Sequence, residues 1–326
     1  MGEPAIQTIG LRKAFGSTTV LRGVDLSVPA ASLLALLGPN GSGKTTTVRI
    51  LTTLLSADAG HARVAGHDVA REGASVRRKI GVAAQSATVD GLLTGRENLE
   101  LFAGLHHVGR RAARRRAGEL LERFGLTDTA ERRVATYSGG LRRRLDLAVS
   151  MVAAPRILFL DEPTTGLDPR SRVELWATIE ELRAAGTTIL LTTQYLEEAD
   201  QLAEQIAVIH DGRIVADDTP AVLKQRVGSE RLVLTLATSD DVQRVGVLFD
   251  GMAGQGYTTG QPNSSSRDGS LHLDPGARQV MLGIQHPDQL RLTLDCLHRA
   301  GITVEAVDLH APTLDDVFFE LTRAAA

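Results

Sequence analysis

The chain has 326 residues, 43 % of them hydrophobic, enough to bury one large core and a second, smaller one. Its net charge of −3 argues against a nucleic-acid partner, and a single cysteine, Cys296, excludes an internal disulfide and suits a reducing compartment, where it reads as a small buried helix residue. No stretch approaches the length of a membrane span, and Met1-Gly2-Glu3-Pro4 lacks the basic start and apolar run of a signal peptide, so membrane attachment is expected through a partner.

In chain order, the first expected elements are strands at Ile6-Gln7-Thr8-Ile9 and Val24-Asp25-Leu26-Ser27-Val28, an antiparallel edge framing Phe15. Leu33-Leu34-Ala35-Leu36-Leu37 then reads as a short strand buried on both faces, and Thr46-Thr47-Val48-Arg49-Ile50-Leu51 opens a helix. Between them, Gly38-Pro39-Asn40-Gly41-Ser42-Gly43-Lys44-Thr45 fits the phosphate-binding loop G-x-x-x-x-G-K-[ST]. Its glycines let successive backbone N–H groups turn toward a phosphate, because a Cβ there would block the approach. Lys44 supplies a point charge to the β- and γ-phosphates, the Thr45 hydroxyl can ligate Mg2+, and the positive end of the following helix faces the anion.

Residues 86–155 read mainly as helices and loops. Thr94 and Glu97 have the spacing of a capping box, and Arg110-Arg111-Ala112-Ala113-Arg114-Arg115-Arg116, continued by Leu120, Leu121 and Phe124, reads as the solvated face of a helix. His106 and His107 are adjacent, so they diverge on a helix and make no metal site. Ser138 can cap a helix starting at about Gly140, its hydroxyl and the free N–H groups forming an anion site. Ile157-Leu158-Phe159-Leu160 is a continuous apolar strand ending in Asp161-Glu162-Pro163, and the carboxyl end of such a strand is where ligands bind. There Asp161 can hold Mg2+ through water, and Glu162 can face the γ-phosphate and polarise the attacking water.

After Lys224-Gln225-Arg226 the pattern changes. Strands are expected at residues 231–236, 271–273 and 302–307, and helices at 241–252 and 288–300. A Ser/Asn/Gly/Pro-rich loop is expected at 260–269 and a capped amphipathic helix at 313–321. The order points to a small α+β domain of ferredoxin-like type, without a catalytic constellation.

The phosphate loop, Ser138-Gly139-Gly140 and Asp161-Glu162, in this order, resemble an ATP-binding cassette (ABC) ATPase over about residues 4–226. The resemblance implies an α/β fold: a P-loop NTPase cassette with a parallel core sheet, an antiparallel edge and a helical subdomain at about 86–155, followed by the small α+β domain at 229–326. It also implies that Phe15 stacks on adenine, that residues 38–46 including Thr46 hold the phosphates, and that Gln85 joins Thr45 and Asp161 around Mg2+. Gly166-Leu167-Asp168 matches the loop after the Mg2+ strand, which implies that Asp168 stands among the nucleotide-binding residues, and Thr192-Thr193-Gln194 matches the switch strand. Ser138, Gly139 and Gly140 are expected on the γ-phosphate held by a second copy of the chain, in a head-to-tail dimer enclosing two ATP. Glu162 is the expected catalytic carboxylate. Gln194 stands where most relatives carry histidine; its amide can donate a hydrogen bond but carries no proton or charge, which implies slower hydrolysis.

Tyr137-Ser138-Gly139-Gly140, Arg142-Arg143-Arg144-Leu145-Asp146-Leu147-Ala148, Thr192-Thr193-Gln194-Tyr195 and Pro312-Thr313-Leu314-Asp315-Asp316-Val317-Phe318 are similar to the daunorubicin-resistance type. Members of that branch are ATPase subunits at the cytoplasmic face of the membrane that pair with a separate polytopic permease and export hydrophobic antibiotics. Residues 92–99 fall at the family's docking segment for the permease. Two other classes remain open: an ABC ATPase of DNA repair or translation, which would carry tandem cassettes or long coiled-coil insertions, and an ATP-dependent drug-sequestering protein.

Overall fold

The computed structural model describes residues 3–84, 88–227, 230–250, 258–259, 270–284, 287–310 and 313–318. Gln85, the loop at 260–269 and residues 319–321 of the helix expected at 313–321 lie outside them. The chain divides into two compact units, with the break between Pro220 and Ala221.

In the first unit, β1 (Ile6–Phe15), β2 (Thr18–Val28), β3 (Leu33–Leu37) and α1 (Lys44–Leu51) lead to β4 (Ala59–Val64), β5 (His67–Asp68), α2 (Gly73–Arg77) and β6 (Ile80–Ala83). Three helices follow, α3 (Gly95–Leu105), α4 (Arg110–Arg123) and α5 (Gly139–Ser150). The unit closes with β7 (Ile157–Asp161), α6 (Pro169–Ala184), β8 (Thr188–Thr193), α7 (Leu196–Leu202), β9 (Gln205–His210) and β10 (Arg213–Asp218). Strands β9-β3-β8-β7-β6 pair in parallel, with β10 antiparallel at the edge; β2-β1-β4-β5 make a separate antiparallel sheet.

Strand β3 is apolar at every position and β7 at every position before Asp161, because both faces are covered. Leu158 and Leu160 of β7 join Leu33 of β3, Trp176 and Ile179 of α6 and the helices around Leu99 and Leu120 in one core. Ile157 and Phe159 point the other way, to Leu34, Leu36, Val48 of α1 and the inner face of the antiparallel sheet. A strand buried on both faces cannot alternate, which is why these segments read as uninterrupted apolar runs.

In the helical segment, Thr94 caps α3 in a full capping box: Glu97 N donates to Thr94 Oγ1 at 3.2 Å, and Thr94 N to Glu97 Oε2 at 2.8 Å. On α4, Ala113, Ala117, Leu120 and Leu121 are buried while Arg110, Arg111, Arg114 and Arg115 face solvent; Arg116 turns back to cap the Met151 carbonyl at 2.8 Å. Among the described residues no group of three or more His, Cys, Asp or Glu side chains is placed to hold a metal ion, and no helix is long and apolar enough to cross a membrane.

The second unit contains α8 (Pro220–Val227), most of it beyond the break, then β11 (Glu230–Leu236), α9 (Ser239–Asp250), β12 (Thr258–Thr259), β13 (Ser270–Asp274), β14 (Gln279–Ile284), α10 (Pro287–Arg299) and β15 (Val304–His310). The order β13-β14-β11-β15, all antiparallel, with α9 and α10 as crossovers, is the βαββαβ pattern of ferredoxin-like folds, and β12 adds a short parallel edge. Strand β14 was not expected from the sequence. Its Val280, Leu282 and Ile284 are buried and Met281 and Gly283 half-buried, so an apolar-looking run carries a period-two strand. Cys296 is half-buried on α10 rather than fully buried. At 313–318, Asp316 N donates to Thr313 Oγ1 and Thr313 N to Asp316 Oδ2, the reciprocal cap expected for a helix start.

Phe159 is fully buried at the centre of the parallel sheet. Phe159→Ala should destabilise the first unit by about 3–5 kcal/mol, read by urea unfolding through the fluorescence of Trp176, the chain's single tryptophan, in the same unit. A loss below about 1 kcal/mol would contradict this packing.

Candidate active site

The carboxyl ends of β3, β7 and β8 meet at one edge of the parallel sheet, the position where open α/β sheets bind ligands. Strand β3 leads into the loop at 38–43, and α1 begins at Lys44. Gly43 holds φ 111°, and a Cβ there would lie 2.6 Å from Leu21 Cδ2; a Cβ on Gly38 would lie 2.3 Å from the Ile209 carbonyl oxygen. Both positions therefore require glycine, and the loop is packed on the sheet rather than free. The first amides of α1 have no intrahelical acceptor. Ser42 Oγ is buried without a hydrogen-bond partner among the described residues. Free amides and an orphan hydroxyl at a helix N-terminus make an anion cradle.

Lys44 is buried, with Nζ donating to the Gly38 and Pro39 carbonyls at 2.7 and 3.0 Å and lying 3.6 Å from Glu162 Oε1. Burial pushes the ammonium below the ordinary lysine range, and Glu162 opposes that shift. Thr45 Oγ1 donates to Asp161 Oδ1 at 3.2 Å, so a hydroxyl and a carboxylate converge from two elements. Hard oxygen donors of this kind fit Mg2+, which binds through one or two carboxylates and keeps several waters.

Asp161 and Glu162 are further fixed by Thr192, which pairs with Asp161 across β7 and β8. Thr192 Oγ1 donates to Asp161 Oδ1 at 2.5 Å and accepts the Glu162 N–H at 3.1 Å; the same N–H also reaches the Thr192 carbonyl at 3.1 Å. Glu162 has φ 49°, the left-handed region that residues with a Cβ avoid, so its turn is strained and must be held by such contacts. Thr165 Oγ1 donates to Glu162 Oε2 at 3.4 Å. Gln194 follows β8 on this edge, half-buried, and its side chain makes no hydrogen bond among the described residues.

The other expected residues stand apart. Phe15 ends β1 with 49 % of its surface exposed and Lys13 Nζ 5.6 Å from its ring centre. Ser138 caps α5, accepting the Leu141 N–H at 3.3 Å, and a Cβ on Gly140 would lie 2.6 Å from Ser171 Oγ. Among the described residues no hydrogen bond or ion pair joins Ser138, Gly139 or Gly140 to residues 38–46. Asp168 caps α6, its carboxylate accepting from Ser171 N at 3.0 Å and Ser171 Oγ at 2.6 Å.

Sequence reasoning passed over two residues here. Thr192 was read only as part of a switch strand; the signal was a hydroxyl closing an otherwise apolar central strand. Arg143 was read within an arginine run, yet its guanidinium reaches the backbone of the Glu162 turn. Burial works against its charge, offset by Asp146 and Asp161.

Thr192→Val removes the hydroxyl that joins the Asp161 carboxylate to the Glu162 backbone N–H, with little change in volume. Nucleoside triphosphate turnover should fall about 10–100-fold, the scale of a small misplacement of catalytic groups. Wild-type turnover in this variant would show that the Thr192 bridge is dispensable.

The ABC transporter family model matches residues 21–165. Over 98 % of this chain and 95 % of the relative, the sequence is 49 % identical to the daunorubicin resistance ATP-binding protein DrrA2 of Streptomyces coeruleorubidus. It is 46 % identical, over 98 % of this chain and 92 % of the relative, to the daunorubicin/doxorubicin resistance ATP-binding protein DrrA of Streptomyces peucetius. Among solved structures, a dimeric ATP-binding cassette bound to ADP and phosphate in a post-hydrolysis state superposes with a TM-score of 0.59 at 26 % identity, covering 66 % of this chain and 98 % of that one. Fold, edge geometry and full-length similarity agree: the chain belongs to the ABC transporter ATP-binding proteins, within the group of the daunorubicin and doxorubicin resistance subunits, and is an ATP-hydrolysing subunit of that family.

Proposed function

We propose that this chain powers the efflux of a hydrophobic antibiotic through a separate membrane permease. The observation that carries the chemistry is the convergence of Lys44, Thr45, Asp161 and Glu162 on one sheet edge. The drug-resistance names of the relatives support the cargo class. The chain acts at the cytoplasmic face, bound to its permease; the segment around α3 offers the docking surface, with Leu92 77 % and Leu105 65 % exposed.

The backbone amides of residues 41–46, the Ser42 hydroxyl and Lys44 hold the ATP phosphates, and Phe15 stacks on the adenine ring. Thr45, Asp161 through water, and Gln85 are the residues that would hold Mg2+, which when bound neutralises charge on the β- and γ-phosphates. Glu162 accepts a proton from the attacking water, and the Thr192 bridge orients it. Gln194 supplies a neutral donor near the γ-phosphate, so hydrolysis is slower than with histidine. Ser138, Gly139 and Gly140 complete the site of a second copy of this chain, with Asp168 nearby; their separation from the phosphate loop within one chain supports this reading. The cassette spans residues 4–226, with its helical subdomain at about 86–155, and the α+β domain at 229–326 is accessory.

Glu162→Gln should lower ATP turnover by about 10²–10⁴-fold, the range for a lost general base, while ATP binding measured by equilibrium titration is retained. Near wild-type turnover would remove Glu162 from its role. Lys44→Ala should weaken ATP binding; unchanged affinity would count against the cradle. Affinity purification from detergent-solubilised membranes should recover a polytopic membrane protein in comparable amount. Recovery of ribosomes, DNA or soluble partners alone would assign the chain to a non-transport role.

A further inference from the structure

Helix α5, which begins at the Ser138 cap, carries Arg143 in its second turn, and that guanidinium binds backbone at the carboxyl ends of β6 and β7. Its Nε donates to the Pro163 carbonyl at 2.6 Å, and Nη2 to the carbonyls of Glu162 and Asp161 at 3.1 and 3.3 Å. Its Nη1 donates to the carbonyl of Ala84, the residue after β6, at 2.7 Å. Asp146, three residues further along α5, accepts the Thr88 N–H at 2.8 Å. One helix thus grips the end of β7, the residue after β6 and the Thr88 amide.

The acceptors explain why arginine is needed. Three consecutive carbonyls, those of residues 161–163, converge on a single side chain at the turn where Glu162 is held at φ 49°. A guanidinium offers five N–H groups in a rigid planar fork and can bridge such a set; a lysine ammonium is a point donor on a flexible stem. Glu162 is strained and its neighbours are fixed from outside, by Thr192 on one side and by Arg143 on the other.

We propose that Arg143 is a positioning residue for ATP hydrolysis: its fork fixes the backbone of residues 161–163, so that the helix presenting Ser138 also sets the aim of the Glu162 carboxylate. The inference rests on the reading of Glu162 as the general base, and a double-mutant cycle separates the two. Arg143→Lys should lower kcat about 10–100-fold while ATP affinity stays within about threefold, because a misdirected base costs rate rather than binding. Introduced beside Glu162→Gln, it should add little further loss in single-turnover rate, since the group it acts through is already gone. Arg143→Gln supplies a second variant, and Trp176 fluorescence verifies that each is folded. Wild-type kcat in both folded variants, or losses that multiply in full on the Glu162→Gln background, would overturn the proposal. Wild-type turnover in Glu162→Gln alone would instead overturn the reading of Glu162, whatever Arg143 does.

Discussion

The register of β7 against β8 places Thr192 directly opposite Asp161, and the chemistry of the sheet edge depends on that pairing. One hydroxyl there donates to Asp161 and accepts from the Glu162 backbone, so the two adjacent acids share a fixed point. A one-residue slip of β8 would turn its side chains to the opposite faces and bring Leu191 or Thr193 opposite Asp161. The double burial of the central strands prevents such a slip, because each alternate residue already belongs to one of two cores. Packing that looks purely structural therefore fixes Asp161 and Thr192 against each other.

Charge and strain at this edge offset each other. Lys44 is buried and held below the ordinary lysine range, yet Glu162 lies 3.6 Å away and the Gly38 and Pro39 carbonyls accept its protons. Glu162 occupies left-handed backbone that costs on the order of 1–3 kcal/mol unless its surroundings hold it. The contacts that do so come from β8 and from α5, two elements far apart in sequence. The arrangement at this edge is thus a property of the folded sheet and α5 together, and no short peptide motif could form it alone.

Much of this was legible in the sequence. The loop at 38–45, the apolar run at 157–160 with its terminal acids, the Ser138 cap and the Thr94–Glu97 box are local patterns, and local patterns survive translation into structure. The rest was hidden for physical reasons. Thr192 acquires its role through strand pairing, and Arg143 through three-dimensional proximity to carbonyls that carry no sequence signature. Strand β14 was concealed because Met281 and Gly283 interrupt the polar half of its alternation. Asp168, expected from resemblance beside the nucleotide, has in this chain an observable local task as the cap of α6.

The central claim is that one chain holds only half of each active site. The most direct test mixes two variants that are each inactive: Glu162→Gln, which keeps an intact Ser138 segment, and Ser138→Arg, which keeps an intact Glu162. A mixed dimer contains one site with both parts native. Half of the dimers in an equal mixture are mixed, each with one working site of two, so ATP turnover should recover to about a quarter of the wild-type rate. Turnover that stays at the level of the separate variants, with dimers present, would contradict a site shared between two chains.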